Sequence, residues 1–265
     1  MTPAVSFDLD GVVMDNPFES CVLPRIRRLI HQRSRLADLA AREADALLDA
    51  AITAEWTARL ASDKLVMAFD WDGIYAKVSR DFGGPEIPSV AGIVEECCRP
   101  ECIRLLPGVH EGIELLHRAG YRTVALTNGY SHYQAPVLKA LGVSELFDEL
   151  VAPNVVDSAK PDSGIFLAVR GLVVHVGDTL YADVLGARRA GLKAIWLTGN
   201  VPETLRSSLP VLRPRHVDFA DFLMAQMSCD PQRERYGDFT ASQLECDALA
   251  QDVKEAAEAV IELFG

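Results

Sequence analysis

Apolar and polar positions change period along this chain, and those changes mark its organisation. Val5 to Leu9 is an apolar run that reads as a buried parallel strand, and Asn16-Pro17 breaks it. From about Phe18 to Glu96 the spacing turns helical. Apolar residues recur every three or four positions over Arg25 to Leu29 and Leu36 to Leu60, and helical pattern continues over Tyr75 to Phe82 and Ser89 to Cys98. Asp70-Trp71-Asp72-Gly73 reads as a turn or helix start, while Gly83-Gly84-Pro85 and Arg99-Pro100 are breaks. From Pro107 the two periods alternate. Helices are predicted at Val109 to Ala119, Ser131 to Leu141, Ile165 to Val169 and Ala182 to Ala190. Strands are predicted at Tyr121 to Leu126, Leu150-Val151, Leu172 to Val176 and Ala194 to Leu197, with a last edge strand at His216-Val217. Such alternation argues an α/β fold, a doubly wound, Rossmann-like parallel sheet with an α-helical domain inserted after its first strand.

The predicted boundaries follow. Residues 1–17 and 101–228 form the core, 18–100 the insertion and 229–265 a tail, with hinges near Asp15 to Phe18 and Pro100 to Leu106. In the tail, Asp230 to Gly237 is polar and reads as loose. Thr240 to Phe264 reads as one long acidic helix with Leu244, Leu249, Val253, Val260 and Phe264 near one face. The core does not require that helix; it packs back on its own sheet or makes a dimer contact.

Chemistry enters at the strand ends. Asp8 and Asp10 close the first apolar run in Ser6-Phe7-Asp8-Leu9-Asp10-Gly11, and the glycine allows a sharp turn. Two carboxylates there repel each other and cost desolvation, which a purely structural role would rarely require. One carboxylate can attack while the other handles a proton. A second apolar strand ends in Thr127-Asn128-Gly129, and a third in Gly177-Asp178-Thr179, followed by Asp183. Lys160-Pro161-Asp162 places a lone lysine before a helix start. In an open parallel sheet, ligands bind beyond the carboxyl ends of the strands, so these groups can share one cleft. Their chemistry suits a phosphate and a hard cation.

With these four motifs in order, the chain resembles the haloacid dehalogenase superfamily, over residues 4–17 and about 105–225, and the insertion fits that family's helical cap. The resemblance implies that Asp8 is the nucleophile that becomes an aspartyl-phosphate, and Asp10 the general acid/base. It implies that Thr127, Asn128 and Lys160 bind the phosphate. Mg²⁺ is the implied cofactor, held by Asp8, the main-chain carbonyl of Asp10 and Asp178, with Asp183 assisting directly or from behind. The dehalogenating branch lacks an acid at the position of Asp10, because its leaving halide needs no proton, so Asp10 favours phosphoryl chemistry. One departure is the short stretch from Lys160 to Gly177, where Ser163 to Arg170 leaves barely two helical turns.

Composition narrows the classes further. The chain has 265 residues, 49% hydrophobic and 24% charged, which is ordinary for a folded globular protein. Its net charge of −12 argues against nonspecific nucleic-acid binding. No secretory signal or bilayer-spanning run is visible, so the expected location is cytoplasmic. Six cysteines are present, and a disulfide framework is not expected in that compartment. Cys97, Cys98 and Cys102 lack the spacing of a zinc site and read as buried thiols near a helix end. The expected activity is a Mg²⁺-dependent phosphatase acting on a small phosphorylated metabolite, as a monomer or homodimer. The alternatives are a phosphosugar mutase of the same fold and a regulatory protein that keeps the site. Arg25, Arg28, Arg42, Trp56, Trp71 and Tyr75 of the insertion are candidates for reading the substrate.

Overall fold

The computed structural model describes residues 2–62, 65–229 and 239–265. The predicted loose segment from Asp230 to Gly237 lies outside the described residues. In chain order the strands are β1 (Ala4–Phe7), β2 (Met14–Asp15), β3 (Arg104–Leu105), β4 (Arg122–Leu126), β5 (Glu149–Val151), β6 (Leu172–Gly177), β7 (Lys193–Leu197) and β8 (Ala248–Ala250). Six of them form one sheet in the order β5-β4-β1-β6-β7-β8, and its pairings are parallel. The other two, β2 and β3, pair separately. β1 sits in the middle, with Phe7 opposite Ala125 of β4 and Val176 of β6. All four of its residues are buried. Both faces of the strand are covered, so even the polar Ser6, which stands between Val5 and Phe7, is buried. The chain first leaves β1 towards β4 and β5, then returns to its other side for β6, β7 and β8. That reversal makes the carboxyl end of β1 the switch point of the sheet.

Two compact units divide the chain, one of Met1–Asp15, Leu105–Asn128 and Val143–Gly265, the other of Asn16–Arg104 and Gly129–Gly142. The sheet belongs to the first. The second is helical, with Leu23–Gln32, Ala41–Leu60, Trp71–Asp81, Val90–Cys97 and Ser131–Ala140. Asp70 starts one of these helices as expected, its carboxylate accepting from Gly73 N at 3.0 Å. The Ser131–Ala140 helix was expected with the core, yet it groups with the insertion. Tyr133 Oη donates to Asp72 Oδ2 at 2.6 Å, and Tyr130 Oη donates to Val66 O at 3.0 Å. Trp71 and Tyr75 stack on each other at 5.6 Å between ring centroids, and Tyr75 is buried, so both serve the packing of this unit. Arg25 pairs with Glu96.

Cysteine usage needs correction. Cys21 and Cys97 form a disulfide, with Cα atoms 5.9 Å apart across a sequence separation of 76. Cys97 is buried at the end of its helix, as expected, but it is bridged rather than a free thiol. The partner lies too far along the chain for spacing to have shown it. Cys98, Cys102, Cys229 and Cys246 are free.

The tail differs most from expectation. Thr240 to Phe264 is not one helix: a short turn at Ala241–Gln243 leads to β8, then to a helix at Val253–Phe264. His216-Val217 does not pair with the sheet, whose edge beyond β7 is β8, and Val217 is 84% exposed. The core does use this segment. Thr198 N donates to Ala250 O at 2.9 Å, extending the ladder from β7. Leu244, Leu249, Val253 and Val260 are all fully buried, whereas Phe264 is half-exposed. The Val253–Phe264 helix lies against Val109–Arg118, and Gly112 permits the close approach, because a Cβ there would strike the Val253 main chain. Of the two expected roles for this helix, packing on its own domain is the observed one. Among the described residues, no helix is long and apolar enough to cross a membrane.

Candidate active site

The site grows from the end of β1. Asp8 continues that strand's ladder, its N–H donating to Val176 O at 2.9 Å. A tight loop follows. Leu9 O accepts from Val13 N at 2.8 Å and Met14 N at 2.9 Å, and Gly11 N donates to Met14 O at 3.0 Å. Gly11 has a φ of +78°, which glycine adopts without strain. A Cβ there would also collide with the Asp178 carboxylate, so the glycine admits that side chain to the loop. Asp10 is carried in the same loop.

Lys160 is the centre of the arrangement. Its side chain is 1% exposed, and Nζ lies 2.6 Å from Asp183 Oδ1 and 2.8 Å from Asp8 Oδ1. The short run after it is confirmed, with a helix of only Ser163–Leu167, yet the ammonium reaches the β1 end. Asn128 explains part of that placement. Its Nδ2 donates to Lys160 O at 3.0 Å, and its Oδ1 accepts from Lys160 N at 2.7 Å. The Asn128 amide, expected on phosphate, is thus committed to the lysine's main chain. Thr127 is buried at the end of β4, its N–H donating to Val151 O at 3.1 Å. Asp178 is fixed through its carbonyl, which accepts from Trp196 Nε1 at 2.9 Å.

Carboxylate oxygens of Asp8, Asp178 and Asp183 lie within 4.8 Å of one another. They do not share one environment. Asp183 accepts from Lys160 Nζ and His175 Nε2 on Oδ1, and from Thr179 N at 2.9 Å and Thr179 Oγ1 at 2.6 Å on Oδ2. Four donors fill the acceptor positions of one carboxylate. Burial opposes ionisation of Asp183, but Lys160 and the His175 hydrogen bond outweigh it and hold its carboxyl well below the usual range. Burial likewise opposes the charge on Lys160, and Asp183 and Asp8 overcome it, so the ammonium is held above its ordinary value. Asp8 is pushed up to about 6, by burial first, against the pull of Lys160 and with Asp183 and Asp10 adding repulsion. Asp178 is pushed well above its ordinary value by burial, then by Asp183 and Asp8. Three carboxylates, those of Asp8, Asp178 and Asp183, thus surround a single buried ammonium. An all-oxygen donor set with surplus negative charge fits a hard divalent cation.

Sequence reasoning missed Ser6, His175 and Thr179. His175 is 1% exposed, with Nδ1 2.8 Å from Ser6 Oγ and Nε2 3.0 Å from Asp183 Oδ1. The available signal was a lone histidine inside the apolar run Leu172-Val173-Val174-His175-Val176.

A family model described as haloacid dehalogenase-like hydrolase matches residues 2–191. The chain belongs to that family. Over 115 residues it is 35% identical to the pyrimidine 5'-nucleotidase YjjG of Escherichia coli (strain K12), covering 40% of this chain and 48% of that protein. Over 102 residues it is 31% identical to a phosphoglycolate phosphatase of Haemophilus influenzae (strain 86-028NP), covering 36% of this chain and 45% of that protein. The aligned stretches span about half the length of the curated relatives matched. Among solved structures, a HAD phosphatase from Thermococcus onnurineus is similar at a TM-score of 0.61 and 24% identity, covering 76% of this chain and 88% of that one. The L-2-haloacid dehalogenase of Xanthobacter autotrophicus is similar at 0.55 and 15% identity, covering 98% and 99%. These two likenesses show the haloacid dehalogenase-like fold alone.

Proposed function

We propose that this haloacid dehalogenase-like hydrolase is a Mg²⁺-dependent phosphatase that cleaves a small phosphorylated metabolite through an aspartyl-phosphate on Asp8. The observation that carries the reading is the Lys160 ammonium, 2.8 Å from Asp8 Oδ1 at the switch point of the sheet. A phosphate monoester repels a carboxylate nucleophile, and a buried ammonium beside that nucleophile lowers the repulsion as the two approach. Asp8 Oδ1 accepts from Leu9 N at 2.8 Å and from Lys160, and these two donors orient the carboxylate. Asp10, two residues beyond, gives its proton to the leaving oxygen and later takes one from the attacking water. Thr127, at the end of the neighbouring β4, binds a phosphoryl oxygen. Asn128 acts by fixing Lys160.

Asp8, the Asp10 main chain and Asp178 would hold Mg²⁺, with Asp183 supporting Lys160 from behind. When bound, Mg²⁺ supplies positive charge to phosphate oxygens that Lys160 alone does not neutralise. Asp10 sets this reading apart from dehalogenation, where the leaving halide needs no proton. The expected partner is a small metabolite rather than nucleic acid or membrane.

The test is a panel of phosphorylated metabolites with Mg²⁺, read as released inorganic phosphate, with Asp8→Asn as control. Phosphate release that needs Mg²⁺ and vanishes in a folded Asp8→Asn protein supports the proposal. Transfer to a second sugar hydroxyl without net release would replace it with a mutase. No turnover across the panel, together with tight capture of a protein partner, would replace it with a regulatory role.

A further inference from the structure

Parallel register sets Ser6 of β1 directly beside His175 of β6. The pleat puts Ser6 on the same side of its strand as Asp8, two residues on. Both Ser6 and His175 are buried, at 0% and 1% exposure. The hydrogen bonds from this pair run in one direction. Asp183 is a carboxylate with no proton to give, so His175 Nε2, 3.0 Å from its Oδ1, carries the hydrogen. His175 Nδ1 is then an acceptor, and the Ser6 hydroxyl donates to it across 2.8 Å. The Phe166 ring stands edge-on to the imidazole, with centroids 5.1 Å apart at 78°, and limits its rotation. The oxygen that His175 holds is the one Lys160 Nζ grips at 2.6 Å, and Lys160 in turn reaches Asp8 at 2.8 Å.

We propose that His175, fixed in a single tautomer by Ser6, is a positioning residue that holds Asp183 so that Lys160 stands on the Asp8 nucleophile. It touches neither Asp8 nor the reacting atoms. An apolar side chain could fill the same space between β1 and the Ser163–Leu167 helix. Thr179 already holds Oδ2 with two donors, and a donor at the Nε2 position completes the set by keeping Asp183 Oδ1 doubly held towards Lys160. The activity readout below rests on the phosphatase reading; the spectroscopic readout does not.

The experiment compares His175→Leu, His175→Gln and Ser6→Ala in the full chain, each checked by thermal denaturation. Rates are measured on an activated aryl phosphomonoester with Mg²⁺. Nitrogen-15 NMR reads the His175 imidazole and the Lys160 ammonium. His175→Leu should lower kcat by about ten- to a hundredfold, as expected for losing a donor to a charged group behind a reacting one. The Gln amide can place an N–H where Nε2 stood, so His175→Gln should stay within about threefold of the parent protein. Ser6→Ala should turn a single Nε2–H imidazole signal into a mixture of tautomers, and it should add nothing in the His175→Leu background. The Lys160 ammonium signal should be sharp in the parent and in His175→Gln, and broadened in His175→Leu.

Equal rates for Leu and Gln variants, whether both normal or both impaired, overturn the proposal, because packing alone would then matter. If His175→Leu does not fold, the parent imidazole decides: an Nδ1–H tautomer overturns the proposal, and an Nε2–H tautomer lost in Ser6→Ala supports it. If the parent hydrolyses no phosphoester, the phosphatase reading fails. The Lys160 signal then still decides this inference, since an unchanged signal in folded His175→Leu overturns it.

Discussion

Among the described residues of the sheet-bearing unit, Lys160 and Arg213 are buried cations whose surroundings differ in charge balance. Lys160 faces Asp8 and Asp183 directly, with Asp178 and Asp10 close by. Arg213 is 2% exposed and faces one acid. Its Nη1 and Nη2 donate to the two oxygens of Glu255 at 2.5 and 3.1 Å, and the rest of the guanidinium donates to main-chain carbonyls, Leu249 O at 2.9 Å and Ser208 O at 3.1 Å among them. That second cluster is balanced and closed. It joins the β8 edge to the helix behind it, and its planar fork matches the carboxylate. The first cluster carries more acid than it can neutralise, so it is poised to take in further positive charge. A buried cation is therefore a staple where its charges balance, and a candidate site where they do not.

The largest expected effect breaks the unbalanced cluster. On the proposed phosphatase reading, Asp8→Asn should lower phosphate release by at least about a thousandfold, since the proposed nucleophile and metal-holding group are lost together. Stability should not fall with it, because Lys160 keeps Asp183 and one repelling acid is gone. The same reasoning applies to Asp178→Asn without metal. Burial and its acidic neighbours disfavour the ionised Asp178, so removing that charge should raise the unfolding temperature in EDTA. A lower unfolding temperature for Asp178→Asn would contradict the account of surplus charge. EDTA should silence the parent protein, and Mg²⁺ should restore it.

Arg213→Met should show the opposite pattern. Removing one partner of a buried pair leaves Glu255 and several carbonyls short of donors, at a cost of about 2–4 kcal/mol. The midpoint of urea unfolding should fall accordingly, while turnover per folded molecule stays close to the parent's. A loss of turnover without loss of stability would erase the distinction between the two clusters.

The two regions also differed in how legible they were. That Asp8, Asp178 and Lys160 lie together could be read because the sheet collects strand ends, and each residue sits at the end of an apolar run or just before a helix. Asn128 sits at the strand end where it was expected, but its bond to the Lys160 main chain was not foreseen, because no pattern shows that an amide will turn to a lysine's main chain 32 residues on. His175 stayed invisible for a related reason: Ser6 is 169 residues away, and only the register of β1 on β6 joins them. At the C-terminal edge, β8 is only Ala-Leu-Ala, with none of the β-branched or aromatic residues that mark strands. Helical spacing on either side of it therefore swallowed the strand. One signal was present. Asp252 and Glu255 form an Asp-x-x-Glu start, and Asp252 does accept from Glu255 N at 2.9 Å. Reading that cap would have begun the helix at Val253 and freed the residues before it.

A smaller effect follows from pH. Glu255 is held below its ordinary 4.5 by Arg213 and the Gln251 hydrogen bonds, which outweigh its partial burial. Its folded value is depressed, so its contribution is present above the unfolded pKa and is lost as pH falls through the folded one. The stability gap between the parent and Arg213→Met should therefore be full at pH 7 and narrow below about pH 4.5. Urea midpoints of both proteins at neutral and acid pH measure the gap; a gap that widens in acid would mean Glu255 is not the partner that matters.

The smallest effect sharpens the comparison from outside it. Lys193 pairs with Asp247 at 2.7 Å beside the same β7–β8 edge, but the lysine side chain is 50% exposed. Water screens that charge, and the long side chain gives up freedom to hold it, so such pairs contribute only about 0.2–1 kcal/mol. Asp247 also keeps a second task, since its Oδ2 accepts from Ala194 N at 2.9 Å whether or not the lysine is there. Lys193→Met should thus lower stability by less than about 0.5 kcal/mol, and added salt should shrink even that. It shares sheet edge, ion-pair chemistry and distance with the Arg213 pair and differs mainly in burial and in the number of donors engaged. If Lys193→Met cost as much as Arg213→Met in the same urea titration, closure of the Arg213 cluster would not be what makes it a staple, and mere proximity of opposite charges at the edge would suffice.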